Sequence, residues 1–211
     1  MASLPLGPVD DAPDRAPTVA ELLRPFAVVA LVAAAMWVEE VVDLLPHTPF
    51  DSWGIRPRQL RGVPGIALAP FLHDGFGHLL SNTVPFVVLG CIVAASGVQR
   101  FVQVAVIVAA IAGVGTWLTG PSRTIHIGAS GVVFGLLTYL VARGAFERRL
   151  GHLAVALLVL IFYGSLLWGL LPRPGVSWQG HLFGALGGVV AAWVIHGRGQ
   201  QSRTTIAEGQ G

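Results

Sequence analysis

Long apolar runs broken by short polar connections set the rhythm of this chain. A helix needs about 17–25 apolar residues to cross a bilayer, and six stretches approach that length: 25–45, 78–95, 101–118, 129–142, 150–171 and 180–196. The fourth is short unless 125–128 are counted with it. Glu39, Glu40 and Asp43 near the far end of the first run place that end at an interface or against protein. The connection from Pro46 to about Gly75 is long, and its apolar pieces, such as 63–72, are too short to cross. A partly embedded loop or interfacial helix is expected there. The pattern predicts an all-α polytopic membrane protein, a six-transmembrane-helix bundle with a long, partly embedded first loop.

Composition agrees with that class. Of 211 residues, 54% are hydrophobic and only 11% charged, against about 25% charged in an ordinary soluble domain. Mean hydropathy is +0.70. Residues 1–24, rich in Pro, Asp and Ala and without a hydrophobic targeting core, read as a disordered cytoplasmic arm, and 198–211 as a disordered cytoplasmic tail, flanking one helical domain over 25–197. A formal charge of +2 is too balanced to suggest a nucleic-acid partner. Every basic residue is arginine, so no lysine is available as a base or Schiff-base former. The single cysteine, Cys91, excludes an intramolecular disulfide and reads as a small packed hydrophobe.

Arginine placement sets an orientation. With the N-terminus cytoplasmic, eight arginines (15, 24, 100, 143, 148, 149, 198 and 203) fall inside and five (56, 58, 61, 123 and 173) outside. That bias puts both termini in the cytoplasm. The second, fourth and sixth spans then enter the membrane from the outer side.

Three polar motifs sit at those three entries. One is Gly128-Ala129-Ser130-Gly131, where a polar connection turns into an apolar run. Glycine on both sides lets a backbone approach the serine, and a helix start offers unpaired N–H groups and the positive end of the dipole. Seen alone, such a sequence is more often a helix cap or a packing site than a nucleophile. The others are His73-Asp74-Gly75-Phe76-Gly77-His78-Leu79-Leu80-Ser81-Asn82 and Gly180-His181-Leu182-Phe183-Gly184. Six-span topology brings all three to one depth near the outer face.

Amide hydrolysis needs a nucleophile, a proton shuttle and donors aimed at the oxyanion. Ser130 supplies a hydroxyl, and His181 an imidazole, whose reference pKa near 6.5 suits a base at neutral pH. His78 and Asn82, four residues apart, share one helical face and can both donate to a tetrahedral oxygen. No carboxylate completes a triad: Asp74 is a loop residue and Glu147 belongs to the opposite face. A Ser–His dyad is expected, with His181 oriented by packing against Phe134. Gly180, Gly184 and Gly188 make a smooth stripe on the sixth span and Gly131 and Gly135 another on the fourth, so those helices can approach closely.

The three motifs, their order and their spacing resemble the rhomboid family of intramembrane serine proteases, over 25–197. The resemblance implies Ser130 as nucleophile from the match at Gly128–Gly131, and His181 as general base with Gly184 and Gly188 as its packing glycines. It implies His78 and Asn82 as oxyanion donors and His73 as a structural residue near the first loop. Some members carry a tyrosine where this chain has Phe134, and the Trp-Arg pair of some first loops is replaced here by Asp51-Ser52-Trp53-Gly54-Ile55-Arg56. The family's fold and activity imply an endopeptidase acting on transmembrane protein substrates among membrane lipids, with no metal and no organic cofactor. A prokaryotic cell membrane is expected, with the active site opening to the outer side.

Two other classes compete. A catalytically silent, rhomboid-like binder of transmembrane helices is expected to lack Ser130 or His181. A histidine relay in a transporter is expected to extend across the membrane, whereas here the polar residues cluster at one face and the lower halves of the second, fourth and sixth spans read as Val, Leu and Ala. Metal binding by His73, His78 and His181 is a further possibility, but a serine and an asparagine at the same focus suit acyl transfer better.

Overall fold

The computed structural model describes residues 18–45 and 50–197. Among these residues there are seven α-helices and no β-strand, only an isolated bridge between Ile55 and His126. The tail expected over 198–211 and most of the arm expected over 1–24 lie outside the described residues.

The first helix, α1 (Val19–Asp43), begins six residues before the expected edge at Pro25. Its start is fixed by a capping box. The Thr18 hydroxyl accepts from the Glu21 N–H at 3.3 Å, and the Glu21 carboxylate accepts from the Thr18 N–H at 2.6 Å. Residues 19–24 are therefore helix rather than arm. Its buried positions, Val29, Ala33, Met36 and Glu40, recur at helical spacing and pack against α3 (Gly75–Ala94).

Between them the chain makes 3₁₀ turns at Phe50–Trp53 and Leu60–Gly62 and a four-residue helix, α2 (Gly65–Leu68). This segment is stitched to the end of α4 (Val98–Thr119). The Arg58 guanidinium donates to the Leu118 carbonyl at 2.9 Å, and the Trp117 indole N–H to the Gln59 carbonyl at 3.0 Å. Ile66 of α2 lies so close to Gly113 that an added Cβ would stand 2.6 Å from it.

The remaining helices are α5 (Ser130–Glu147), α6 (Leu150–Tyr163) and α7 (Trp178–Ala192). A run expected to be helical over 150–171 leaves α-geometry at Tyr163 and continues as a 3₁₀ stretch, Gly164–Leu170. Past its end α7 widens into a π-turn, Trp193–Gly197. Among the described residues five stretches are long and apolar enough to cross a membrane: α1, α3, α4, Leu150–Leu170 and Trp178–Gly197. The fold is that of an integral membrane protein. α5 falls outside that set because its last turns carry Arg143 and Glu147, yet it packs against α3, α4, α6 and α7 and buries half its residues.

At the far end of α5 from Ser130 lies a polar cluster. Glu147 meets His196 Nδ1 at 2.6 Å, Arg143 Nε at 3.4 Å and the His152 ring. The Tyr139 hydroxyl and Arg100 reach His196 Nε2 at 2.9 and 3.3 Å. The expectation that polar side chains gather at one face only is thereby corrected. The two clusters do not join, because Val133, Leu136, Leu137, Ala191 and Ala192 fill the space along α5 and α7 between them and are buried.

Candidate active site

Ser130 is the first residue of α5 and His181 stands in the first turn of α7. What lets them meet is the seam between the two helices. A Cβ at Gly184 would lie 2.0 Å from the Gly131 carbonyl oxygen, and one at Gly188 2.0 Å from that of Gly135. Any side chain there forces the helices apart. Thr138 adds a polar fastening, its hydroxyl donating to the Ala185 carbonyl at 2.7 Å.

With the helices this close, Ser130 Oγ stands 2.8 Å from His181 Nε2. On the other side of the ring, His181 Nδ1 is 2.8 Å from the Gly169 carbonyl oxygen. A carbonyl only accepts, so Nδ1 carries the proton and Nε2 is left as the acceptor for the serine hydroxyl. The backbone carbonyl thus fixes the tautomer, as a carboxylate does in a triad. Phe134, one turn along α5, stacks on the imidazole with ring centroids 4.2 Å apart and planes 8° from parallel. Gly169 permits both contacts, since a Cβ there would stand 2.9 Å from Phe134 and 3.1 Å from His181. The Gly169 partner was not anticipated, because a backbone acceptor leaves no residue signature.

The residues of α3 approach the entry to α5 at Gly128. This glycine has φ +108°, a conformation that side-chain-bearing residues rarely adopt. An added Cβ would stand 2.8 Å from His78 Nε2 and 3.6 Å from Asn82 Nδ2. His78 Nδ1 faces the Asp74 N–H at 3.4 Å, which leaves the Nε2 proton pointing to the Gly128 side. Asn82 is buried and donates one amide proton to the His78 carbonyl at 3.1 Å.

His73 is buried beneath them, edge to face with His78 at 5.2 Å. Its Nδ1 donates to the Phe71 carbonyl at 3.0 Å and its Nε2 accepts from the Ala129 N–H at 3.5 Å. Burial pushes its pKa down to about 4. It is a neutral strut between the segment before α3 and the entry to α5.

A cavity of about 40 Å³ opens beside Ser130 and Gly131, with Thr116, His126, Ser177 and Gly180 on its polar side. It has room for a small group only. The sequence reading assigned no role to His126 or Ser177, although they precede Ser130 and His181 by the same four residues.

A helical membrane bundle with a serine, a tautomer-fixed histidine and amide and imidazole donors at one end is a recognisable class of arrangement. The family model of the Rhomboid domain matches residues 61–198. The chain belongs to the rhomboid family. It is 39% identical over 203 residues to a Mycobacterium tuberculosis protein of no assigned function, covering 90% of this chain and 85% of that one. A Mycobacterium leprae protein, also of no assigned function, is 40% identical over 179 residues, covering 81% and 71%. A Bacillus subtilis protein named as a candidate rhomboid protease is 29% identical over 125 residues, covering 58% and 62%.

Proposed function

We propose that this protein is an intramembrane serine endopeptidase that hydrolyses peptide bonds in or near the transmembrane segments of single-span membrane proteins. The observation that carries the reading is the 2.8 Å approach of Ser130 Oγ to a His181 ring whose other nitrogen is committed to the Gly169 carbonyl. His181 Nε2 takes the hydroxyl proton as Ser130 Oγ attacks the scissile carbonyl, and returns it to the leaving amine. The tetrahedral oxygen forms on the Gly128 side, where His78 Nε2–H and Asn82 Nδ2–H donate to it with the N–H at the start of α5. Water then enters from the outer side, and the same histidine activates it to release the acyl group. Family membership supports the reaction class, and the bacterial relatives support a prokaryotic membrane.

In this reading α5 is the fourth of six crossings, sheltered from lipid by the helices around it. Both termini are cytoplasmic and the site lies near the outer face, as the arginine distribution favours. The test is cleavage of a single-span substrate co-reconstituted in liposomes. Wild type cleaves it and Ser130→Ala does not; equal cleavage by the two proteins would remove Ser130 from the mechanism.

A further inference from the structure

A second serine–histidine pair stands one turn outside the first, with its partners exchanged. His126 precedes Ser130 by four residues and Ser177 precedes His181 by four. His126 Nδ1 lies 2.7 Å from Ser177 Oγ. The hydrogen-bond chain has one direction. Thr124 donates its hydroxyl proton to the Pro121 carbonyl at 2.7 Å, so at 2.9 Å from His126 Nε2 it accepts. Nε2 therefore carries the ring proton, and Nδ1 accepts from the Ser177 hydroxyl.

Both ends of this tie are anchored. On one side the His126 backbone exchanges two hydrogen bonds with Ile55, each 2.9 Å. On the other, Ser177 is the N-cap residue of α7 and its carbonyl accepts from the His181 N–H at 3.1 Å. Any displacement of Ser177 thus moves the first turn that carries the proposed base. Between the ties the two helices meet through Gly131 and Gly180, where a Cβ on Gly131 would stand 3.1 Å from the Gly180 carbonyl. Small surfaces allow close approach but offer no projecting side chain to resist sliding or rotation. The Ser130–His181 separation needs something else to hold it at the outer end.

We propose that His126 and Ser177 are positioning residues, a polar tie that sets the distance and angle between Ser130 and His181 without touching the substrate. This rests on the protease reading above. A misplacement on the ångström scale at a reacting pair costs up to about a hundredfold in rate.

The experiment compares the purified full chain as wild type, Ser177→Ala, Ser177→Thr and His126→Phe. It measures kcat and KM for a single-span substrate, the rate of fluorophosphonate labelling, and thermal unfolding. Ser177→Ala and His126→Phe are expected to lower kcat and the labelling rate by about ten- to a hundredfold. KM should stay within about twofold, since geometry at the reacting atoms is lost and substrate binding is kept. Ser177→Thr, which keeps the hydroxyl, restores most of the rate. Wild-type turnover in folded Ser177→Ala and His126→Phe overturns the proposal and leaves the protease reading intact. So does a lowered melting temperature with an unchanged labelling rate per folded molecule, which marks the tie as structural only. A folded wild type that neither labels nor cleaves sinks the protease reading, and the proposal with it.

Discussion

α5 and α6 are neighbours in sequence and opposites in role. The Leu150–Leu170 stretch that contains α6 is the most apolar of the candidate spans, with a mean hydropathy of 2.3, and only 11% of it is buried in the protein. Within α6 itself only Ala156 and Val159 are buried. α5 is too polar to rank with the candidate spans, yet buries Val132–Leu137, Tyr139, Leu140 and Gly144. In a membrane bundle hydropathy reports contact with lipid and says little about the core. A helix shielded by its neighbours can carry serine, glycine, threonine, arginine and glutamate, because protein groups rather than hydrocarbon satisfy them. That shielding is what allows α5 to begin with a serine whose hydroxyl meets an imidazole.

The sharpest way to break this contrast is Gly184→Val. The new side chain would collide with the Gly131 carbonyl, which an added Cβ alone approaches to 2.0 Å. Loss of cleavage below detection is expected while the protein still inserts; normal cleavage would refute the seam as the cause of the Ser130–His181 approach. Next comes a paired truncation. Leu136 in α5 is fully buried and Leu157 in α6 is 60% exposed. Leu136→Ala should cost about 2–5 kcal/mol of stability in detergent, and Leu157→Ala less than about 0.5 kcal/mol. Similar losses at both positions would erase the distinction between core and lipid-facing helices.

Asn82→Ala tests the donors set against the entry to α5. About a hundredfold loss in kcat with KM little changed is expected, since the proposed contact is one that forms with the developing oxyanion. A defect in KM alone would take Asn82 out of that role. The smallest expected effect concerns His73, which braces the same entry. Its folded pKa of about 4 lies below the value near 6.5 of an unfolded chain. Above pH 6.5 the ring is neutral in both states and contributes no slope. Between pH 6.5 and 4 the unfolded chain takes a proton that the fold refuses, so stability falls by about 1.4 kcal/mol per pH unit. Half-buried His126, whose pKa desolvation also pushes down, adds in the same direction. Melting temperature against pH should be flatter in His73→Gln; an identical slope would contradict the buried strut.

How much of this was legible in the sequence follows from where each signal lay. Ser130 stood out because glycines flank it at a helix start, and His181 because glycines repeat every four residues behind it. Those are local patterns, and the structure brings the two side chains together across 51 residues. The Gly169 carbonyl had no signature, since any residue offers one. α6 looked longer than it is because apolar count ignores geometry, and the run past Gly164 continues as 3₁₀ turns. The start of α1 was readable in Thr18 and Glu21, a capping box masked by the polar composition around it. The cluster at the far end of α5 was hidden for another reason. Its members, Arg100, Tyr139, Arg143, Glu147, His152 and His196, come from four separate helical segments, and no single segment shows more than an ordinary interfacial ion pair.

The central claim is that Ser130 is an activated nucleophile and that His181 activates it. Its most direct test is fluorophosphonate labelling of the purified, detergent-solubilised protein, comparing wild type with Ser130→Ala and His181→Ala. Labelling of wild type alone is the predicted result. Equal labelling of either variant, or none of a folded wild type, would contradict it.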